Sequence, residues 1–190
     1  HGMPRRYLHT ELGYNSRLDA LQAAVLNVKL PRLNQWVERR RTIAQRYREA
    51  LQDVPGLLLP DASTGHGHGW NQFVVRVTVC PNDAASSATH SPGEFGLPSS
   101  HCRDWLKQNL QEQGVNTIIY YPIPIHRQPA YAEQQRDSSL PVTEQLCSEV
   151  LSLPIFPELS NEQQEQVITA LRSLLVRNAP VNSQACSVAA

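Results

Sequence analysis

The longest regular feature of this 190-residue sequence is a helical apolar pattern that extends from residue 16 to residue 52. Its apolar side chains recur mostly three or four positions apart, as on one face of a helix. They are Leu18, Leu21, Val25, Val28, Leu33, Trp36, Ile43 and Tyr47. Pro31 interrupts the pattern and predicts a kink or a division into two helices, because it lacks an N–H and crowds the preceding turn. A helix of this length is typical of a spine that links two domains or lines a dimer interface.

The residues before the helix are predicted to form a loop, because glycine, proline and asparagine punctuate residues 1–15. Ser16 is expected to begin the helix, since its hydroxyl can accept from a backbone N–H of the first turn, although Asn15 is itself an ordinary N-cap. With Arg17 close by, free N–H groups, an amide and a guanidinium would converge at this helix start. Such a combination suits an anion, phosphate above all.

The fold class follows from the elements predicted over residues 53–176. Strands are predicted at 57–59, 72–79 and 115–121, and helices at 102–113, 143–151 and 161–175. At the start of the last helix, Ser160 and Gln163 form the pattern of a capping box. The expected fold is therefore α+β, a long helix packed with a small, mainly antiparallel sheet and flanking helices. Residues 81–100 are expected to form a flexible insertion and residues 177–190 a disordered tail.

The composition argues against two classes of partner. The formal net charge is zero, so nothing indicates a nucleic-acid surface, and no apolar run is long enough to cross a bilayer. The four cysteines lie far apart without metal-ligand spacing, which favours a reduced, cytoplasmic protein. The first residue is not methionine and a dense motif region begins at once, so we expect the sequence to start inside a longer protein.

Histidines at two places in the sequence are candidate site residues. His66 and His68 lie in a glycine-rich loop, but no further ligands follow at a recognisable spacing, so no metal site is predicted. His126 lies between prolines and follows Tyr120 and Tyr121, which would bring an imidazole and two phenols together at a strand end. A structural turn histidine explains the same pattern, and residue types alone leave the choice open.

A series of short motifs extends from residue 1 to about residue 175, interrupted mainly by the insertion at 81–100. They are His1-Gly2, Tyr7-Leu8-His9, Gly13 to Ala24, Lys29-Leu30, Arg40, Ala44, Tyr47, Asn71 to Arg76, Gly114-Val115, Tyr120 to His126 and Leu151 to Leu159. Together they resemble the C-terminal portion of the DegT/DnrJ/StrS-type nucleotide-sugar aminotransferases. Several independent motifs at the expected separations make the resemblance specific.

The resemblance implies the small C-terminal domain of a fold-type I enzyme that depends on pyridoxal 5'-phosphate (PLP). Such enzymes transfer an amino group from glutamate to a keto nucleotide-sugar, and they are normally cytoplasmic homodimers with sites at the subunit interface. By the same resemblance, residues 1–15 would be an active-site loop that reaches into the partner's site. Residues 16–52 would be the helix that links the two domains of one subunit.

The resemblance also assigns roles to individual residues. Asn15 would hold the cofactor phosphate, and Arg17 would contact the phosphate or an acidic group of the substrate. The residues expected to line the sugar-nucleotide side are Tyr7, His9, Tyr120, Tyr121 and His126. The run from Tyr120 to His126 is most similar to members of the family that aminate C3 of a nucleotide sugar, such as a UDP-linked uronic acid.

One departure from the family pattern limits what this chain would do alone. Transamination needs a lysine that forms a Schiff base with the cofactor, and the only lysines here, Lys29 and Lys107, do not stand in the family's lysine context. The chain alone is therefore expected to be inactive. Two alternatives stay open: a sugar dehydratase relative with histidine in place of that lysine, and a non-catalytic protein that dimerises or binds a sugar nucleotide. Exposed apolar surface on the long helix would mark the non-catalytic protein.

Overall fold

The computed structural model describes residues 2–14, 19–61, 67–79, 99–131 and 139–176. Within them the fold is α+β, as predicted: helices surround a three-stranded antiparallel sheet. The α-helices are α1 (Ala20–Lys29), α2 (Leu33–Leu51), α3 (His101–Glu112), α4 (Pro141–Glu149) and α5 (Asn161–Leu175). The strands are β1 (Leu57–Leu58), β2 (Phe73–Val77) and β3 (Val150–Leu153).

The interruption predicted at Pro31 is present in the structure. A 3₁₀ turn over Leu30–Arg32 separates α1 from α2, because proline at the start of the turn cannot donate the hydrogen bond that would continue α1. Helix α1 begins at Ala20, and the predicted start at Ser16 lies outside the described residues. Its N-cap is Asp19, whose side chain accepts from the backbone N–H of Gln22 at 2.8 Å.

The sheet has β2 at its centre, with β1 and β3 as its antiparallel neighbours. Along β2, alternate residues Phe73, Val75 and Val77 are buried, as expected of a strand with one face against a core. One helix prediction, over 143–151, and one strand prediction, over 115–121, were wrong in part. Residues 150 and 151 belong to β3 rather than to a helix, and residues 115–121 contribute only one bridge, from Ile118 to Ser152 of β3.

The error at the end of α4 has a tertiary cause. Arg103 is buried on α3 and donates to the carbonyls of Cys147 and Val150 at 3.1 and 3.4 Å. These bonds satisfy carbonyls at the end of α4, so the chain leaves the helix there and pairs with β2 instead. The bridge at Ile118 consists of two hydrogen bonds with Ser152, at 3.2 and 2.8 Å, and the structure gives no separate cause for its isolation.

The ends of α3 and α5 agree with the sequence. Gly114 follows α3 with a φ of +78°, and the N–H groups of Gly114 and Val115 bond back to Gln111 and Leu110. This is a Schellman ending, which glycine favours because it has no Cβ. At the start of α5, Ser160 and Gln163 make both bonds of the predicted capping box.

The core lies between α2, α5, α3 and the inner face of the sheet. Tyr47 of α2 is fully buried against Phe73, with ring centroids 5.1 Å apart. Its hydroxyl donates to the carbonyl of Pro154 at 3.0 Å, and burial raises the pKa of the phenol. At the surface, Arg172 of α5 joins α2 by hydrogen bonds to the carbonyl of Ala50 and to Asp53.

Helix α1 lies outside this core. None of its residues is buried, and Leu21 and Val28 are each 76% exposed. The helix therefore presents a continuous apolar surface of the kind that marks an interface. No helix within the described ranges is long and apolar enough to cross a membrane.

The cysteines depart from the expectation that all four are reduced. Cys102, at the start of α3, is disulfide-bonded, whereas Cys147 on α4 is a buried free thiol. Burial raises the pKa of the Cys147 thiol, which keeps it protonated and unreactive.

The capping box allows a direct test of what stabilises the start of α5. We expect Ser160→Ala to lower the free energy of unfolding by about 1 kcal/mol, because the backbone N–H of Gln163 loses the Ser160 hydroxyl that accepts from it. Urea unfolding followed by circular dichroism measures the change. Ser139→Ala, at an exposed serine outside the helices, is the matched control, and an equal loss in both variants would contradict the assignment.

Candidate substrate-binding site

Three of the predicted site residues come together in one aromatic group, here called the tyrosine cluster: Tyr7, Tyr120 and Tyr121. The ring of Tyr7 meets those of Tyr120 and Tyr121 edge to face, at centroid distances of 6.2 and 5.7 Å. The guanidinium of Arg6 lies over the Tyr7 ring at 4.9 Å, within cation–π range. The cluster thus combines aromatic faces with a cation, and it brings Tyr7 together with two tyrosines more than 110 positions away in the sequence.

The loop that carries Tyr7 is attached to the domain by a single buried side chain, Gln128. Its amide oxygen accepts from the backbone N–H of His9 at 2.9 Å, and its amide nitrogen donates to the carbonyl of Tyr7 at 2.9 Å. Gln128 is only 6% exposed. A third hydrogen bond completes the attachment, since the backbone N–H of Ala130 donates to the carbonyl of His9 at 2.9 Å. The backbone of the loop at residues 7–9 is therefore joined to the segment 128–130 by hydrogen bonds, most of which come from the side chain of Gln128.

The attached loop has an unusual backbone conformation at Tyr7. Its φ is +69°, a left-handed region that a bulky residue rarely adopts and that persists only where the surroundings fix it. Here the fixing groups are Gln128 on one side and a local bridge between Arg5 and Leu8 on the other. A second bridge, between Gly2 and Glu11, closes the base of the loop.

His126 has a different environment from the tyrosines. It lies in a 3₁₀ turn, Ile125–Arg127, is 8% exposed, and its Nε2 is 2.8 Å from Oε1 of Glu144 on α4. Arg127 donates to the same oxygen from Nε and Nη2, at 3.1 and 2.9 Å. The hydrogen bond from His126 and those from Arg127 outweigh burial and hold the pKa of Glu144 at about 2. An ionised carboxylate only accepts, so Nε2 of His126 carries the hydrogen.

The remaining predicted residues are placed as follows. His9 joins the assembly through its backbone. Asn15 and Arg17 lie outside the described residues, as does His66. His68 accepts from the N–H of Trp70 at 2.9 Å and packs on its ring, and no group of three histidine, cysteine, aspartate or glutamate side chains converges on a metal position in the described ranges.

The two lysines lie on the helices α1 and α3. Lys29 is the last residue of α1 and is exposed, and Lys107 lies on α3. Neither takes part in the contacts that assemble the tyrosine cluster or the Gln128 attachment. The residues expected to hold the cofactor phosphate fall at 15–18, outside the described ranges.

Two residues that organise the site were not predicted from the sequence, Gln128 and Glu144. Gln128 stands in a proline-rich stretch and Glu144 in the first turn of a helix, where an acid is ordinary because of the helix dipole. Their roles depend on partners more than 15 positions away. No periodicity or spacing rule indicates such contacts.

Comparison with known proteins identifies the class. Residues 1–172 match the DegT/DnrJ/EryC1/StrS aminotransferase family, and the chain belongs to this family. The erythromycin biosynthesis sensory transduction protein EryC1 of Saccharopolyspora erythraea is 42% identical over 174 residues, which are 91% of this chain and 41% of that protein. The match to the family agrees with the resemblance drawn from the motifs.

Two further relatives extend the comparison. The dTDP-3-amino-3,6-dideoxy-alpha-D-galactopyranose transaminase of Aneurinibacillus thermoaerophilus is 39% identical, over 90% of this chain and 40% of its own length. The structure of DesV from S. venezuelae in complex with a ketimine intermediate is similar with a TM-score of 0.66 and 36% identity, over 90% of this chain and 40% of that one. The chain thus spans about 40% of the length of the relatives it matches.

The attachment through Gln128 predicts a local effect on the loop. In Gln128→Met we expect amide exchange of residues 2–14 to accelerate roughly thirtyfold, because two hydrogen bonds of about 1 kcal/mol each are lost. Hydrogen–deuterium exchange with mass spectrometry measures this, and exchange in α5 should not change. Gln111→Met, at an exposed glutamine of α3, is the control. Unchanged loop exchange in Gln128→Met would show that other contacts hold the loop.

The Glu144 carboxylate predicts a pH dependence. Its folded pKa of about 2 is below the ordinary value, so its contribution to stability is complete above the ordinary pKa of about 4.3 and is lost as the pH falls towards 2. We expect Glu144→Gln to be less stable than the original chain near neutral pH, with a difference that shrinks in acid. Urea unfolding at about pH 7 and about pH 3 measures it. Glu158→Gln, at an exposed glutamate, should show no such trend.

Proposed function

We propose that this chain is the C-terminal part of a PLP-dependent aminotransferase that acts on a keto nucleotide-sugar, with glutamate as the amino donor. The observation that carries the proposal is the tyrosine cluster, in which Tyr7 from the loop meets Tyr120 and Tyr121 in a chain of the aminotransferase family. Aromatic faces beside Arg6 suit a substrate that has a planar base and a charged diphosphate. A relative with a dTDP-sugar in its name supports this class of substrate.

Within the proposal, the described residues have two roles, substrate contact and positioning. Tyr7, Tyr120 and Tyr121 contact the substrate, and His9 lies beside them on the same loop. His126 is a positioning residue rather than an exposed ligand, because Glu144 already occupies its Nε2. This refines the role expected from the resemblance, which placed His126 among the substrate ligands.

The cofactor part of the proposal rests on family membership and on the ketimine in a related structure. Asn15 and Arg17 are proposed to hold the PLP phosphate. The lysine that binds the cofactor is proposed to belong to the part of the relatives that this chain does not span, so the chain alone is proposed to be inactive. Residues 1–15 as an active-site loop, 16–52 as a linking helix and 53–176 as a small domain complete the organisation, in a cytoplasmic homodimer.

The cofactor proposal has a simple test. We expect no borohydride-stable adduct when the 190-residue chain is mixed with PLP and reduced, as measured by intact mass. We expect an adduct once the residues that precede His1 in the full-length protein are restored. An adduct that peptide mapping localises to Lys29 or Lys107 would contradict the proposal. A histidine at the position expected for the upstream lysine would instead support the sugar dehydratase.

A second candidate function, a non-catalytic protein that dimerises, is favoured by the exposed apolar face of α1. If this face joins two copies, sedimentation velocity should show a dimer that Leu21→Gln weakens strongly, because an apolar contact is replaced by a polar group. Val142→Gln, at a similarly exposed valine of α4, is the matched control. A monomer at all concentrations would count against this candidate and against a homodimer of the 190-residue chain, but it would leave the cofactor and substrate parts of the aminotransferase proposal unaffected.

A further inference from the structure

A cleft of about 480 Å³ lies next to the tyrosine cluster, between the end of β3, the first turns of α5 and the segment 114–120. Tyr120 belongs to both features, so a molecule in the cleft would extend towards the cluster. Asn71 and Gln72, which precede β2, and Phe156, which follows β3, also line the cleft.

The cleft contains a buried hydroxyl without a partner in the described part of the chain. Ser152 lines the cleft and is 6% exposed, and its Oγ makes no hydrogen bond there. Its backbone groups are occupied, since its N–H and carbonyl pair with Ile118 at 2.8 and 3.2 Å. A buried hydroxyl in this condition is uncommon, and a ligand with a hydrogen-bonding group would satisfy it.

The polar groups of the cleft are uncharged. No aspartate, glutamate, lysine, arginine or histidine is among the described residues that line it. The amides of Gln163 and Gln166 already bond to Ser160 and to the carbonyl of Gln113. The other side-chain amides that line the cleft are those of Asn71, Gln72 and Asn116. Each amide offers both a donor and an acceptor.

These features together define the ligand's chemistry. A phosphate or carboxylate would find no countercharge in the cleft, whereas hydroxyl and carbonyl groups would find amides and the Ser152 hydroxyl. The rings of Tyr120 and Phe156 and the apolar side chain of Ile118 offer contact surface for a ring.

We propose that this cleft binds an uncharged ring that carries hydroxyl or carbonyl groups. The proposal rests on the proposed function for its two sources of such a ring, the pyranose and the pyrimidine of a nucleotide sugar. In either case the charged diphosphate would lie outside the cleft, on the side of Tyr120 where Arg6 stands over Tyr7.

The test uses the 190-residue chain with three probes: a methyl pyranoside, uridine and inorganic phosphate. Chemical-shift mapping by NMR is expected to show saturable binding of one neutral probe at Ser152, Asn116 and Gln72, and none of phosphate there. Saturation by the pyranoside alone assigns the cleft to the sugar, and saturation by uridine alone assigns it to the base. Binding by both supports the shared ring chemistry.

Two variants make the test specific to the cleft. Ser152→Ala should weaken binding of the neutral probe roughly tenfold through loss of one buried hydrogen bond, without lowering the stability of the free chain, because the hydroxyl has no partner to lose. Asn116→Ala should weaken it as well, and Asn34→Ala on α2 should not. The proposal is overturned if neither neutral probe saturates, if phosphate binds in the cleft, or if Ser152→Ala binds like the original chain. The measurement records ring binding and not transamination. A negative result here would therefore overturn the cleft proposal without deciding whether the full enzyme is an aminotransferase.

Discussion

The buried phenol of Tyr47 is the contact on which most of this architecture depends. It places a helix against the centre of the sheet through Phe73, and its hydroxyl bonds to Pro154, the first residue after β3. Tyr47 therefore contacts both the core, through Phe73, and a residue that lines the cleft, Pro154. Because the phenol has its partner, its hydroxyl is accommodated among the apolar side chains of the core.

The candidate site is assembled by a different kind of interaction. The core depends on apolar burial, whereas the site depends on single polar side chains that join distant segments: Gln128 joins the loop to the turn, and Glu144 joins the turn to α4. Such contacts are directional, so they specify orientation more than they add stability. This suits a surface whose task is to present side chains to a ligand or to another chain.

Sequence reasoning predicted what local rules control. The apolar period, Pro31, Gly114 and the Ser160 capping box act within a few residues, and the structure agrees with them. The end of α4 was predicted wrongly because Arg103, more than 40 positions away, takes up its carbonyls. Tyr7 was predicted through the family resemblance, and Tyr120 and Tyr121 through the resemblance and their position before His126. Gln128 and Glu144 were not predicted, because their sequence positions look ordinary.

The attachment through Gln128 has a consequence for how such a site diversifies. Gln128 bonds to the N–H of His9 and the carbonyl of Tyr7, which are groups that almost every residue possesses. The side chains at these positions can therefore change while the loop stays docked in the same place. In such an arrangement, backbone contacts fix the position of the loop, and its side chains determine which ligand it contacts. New ligand preferences can therefore arise by substitutions in the loop, with the rest of the domain unchanged.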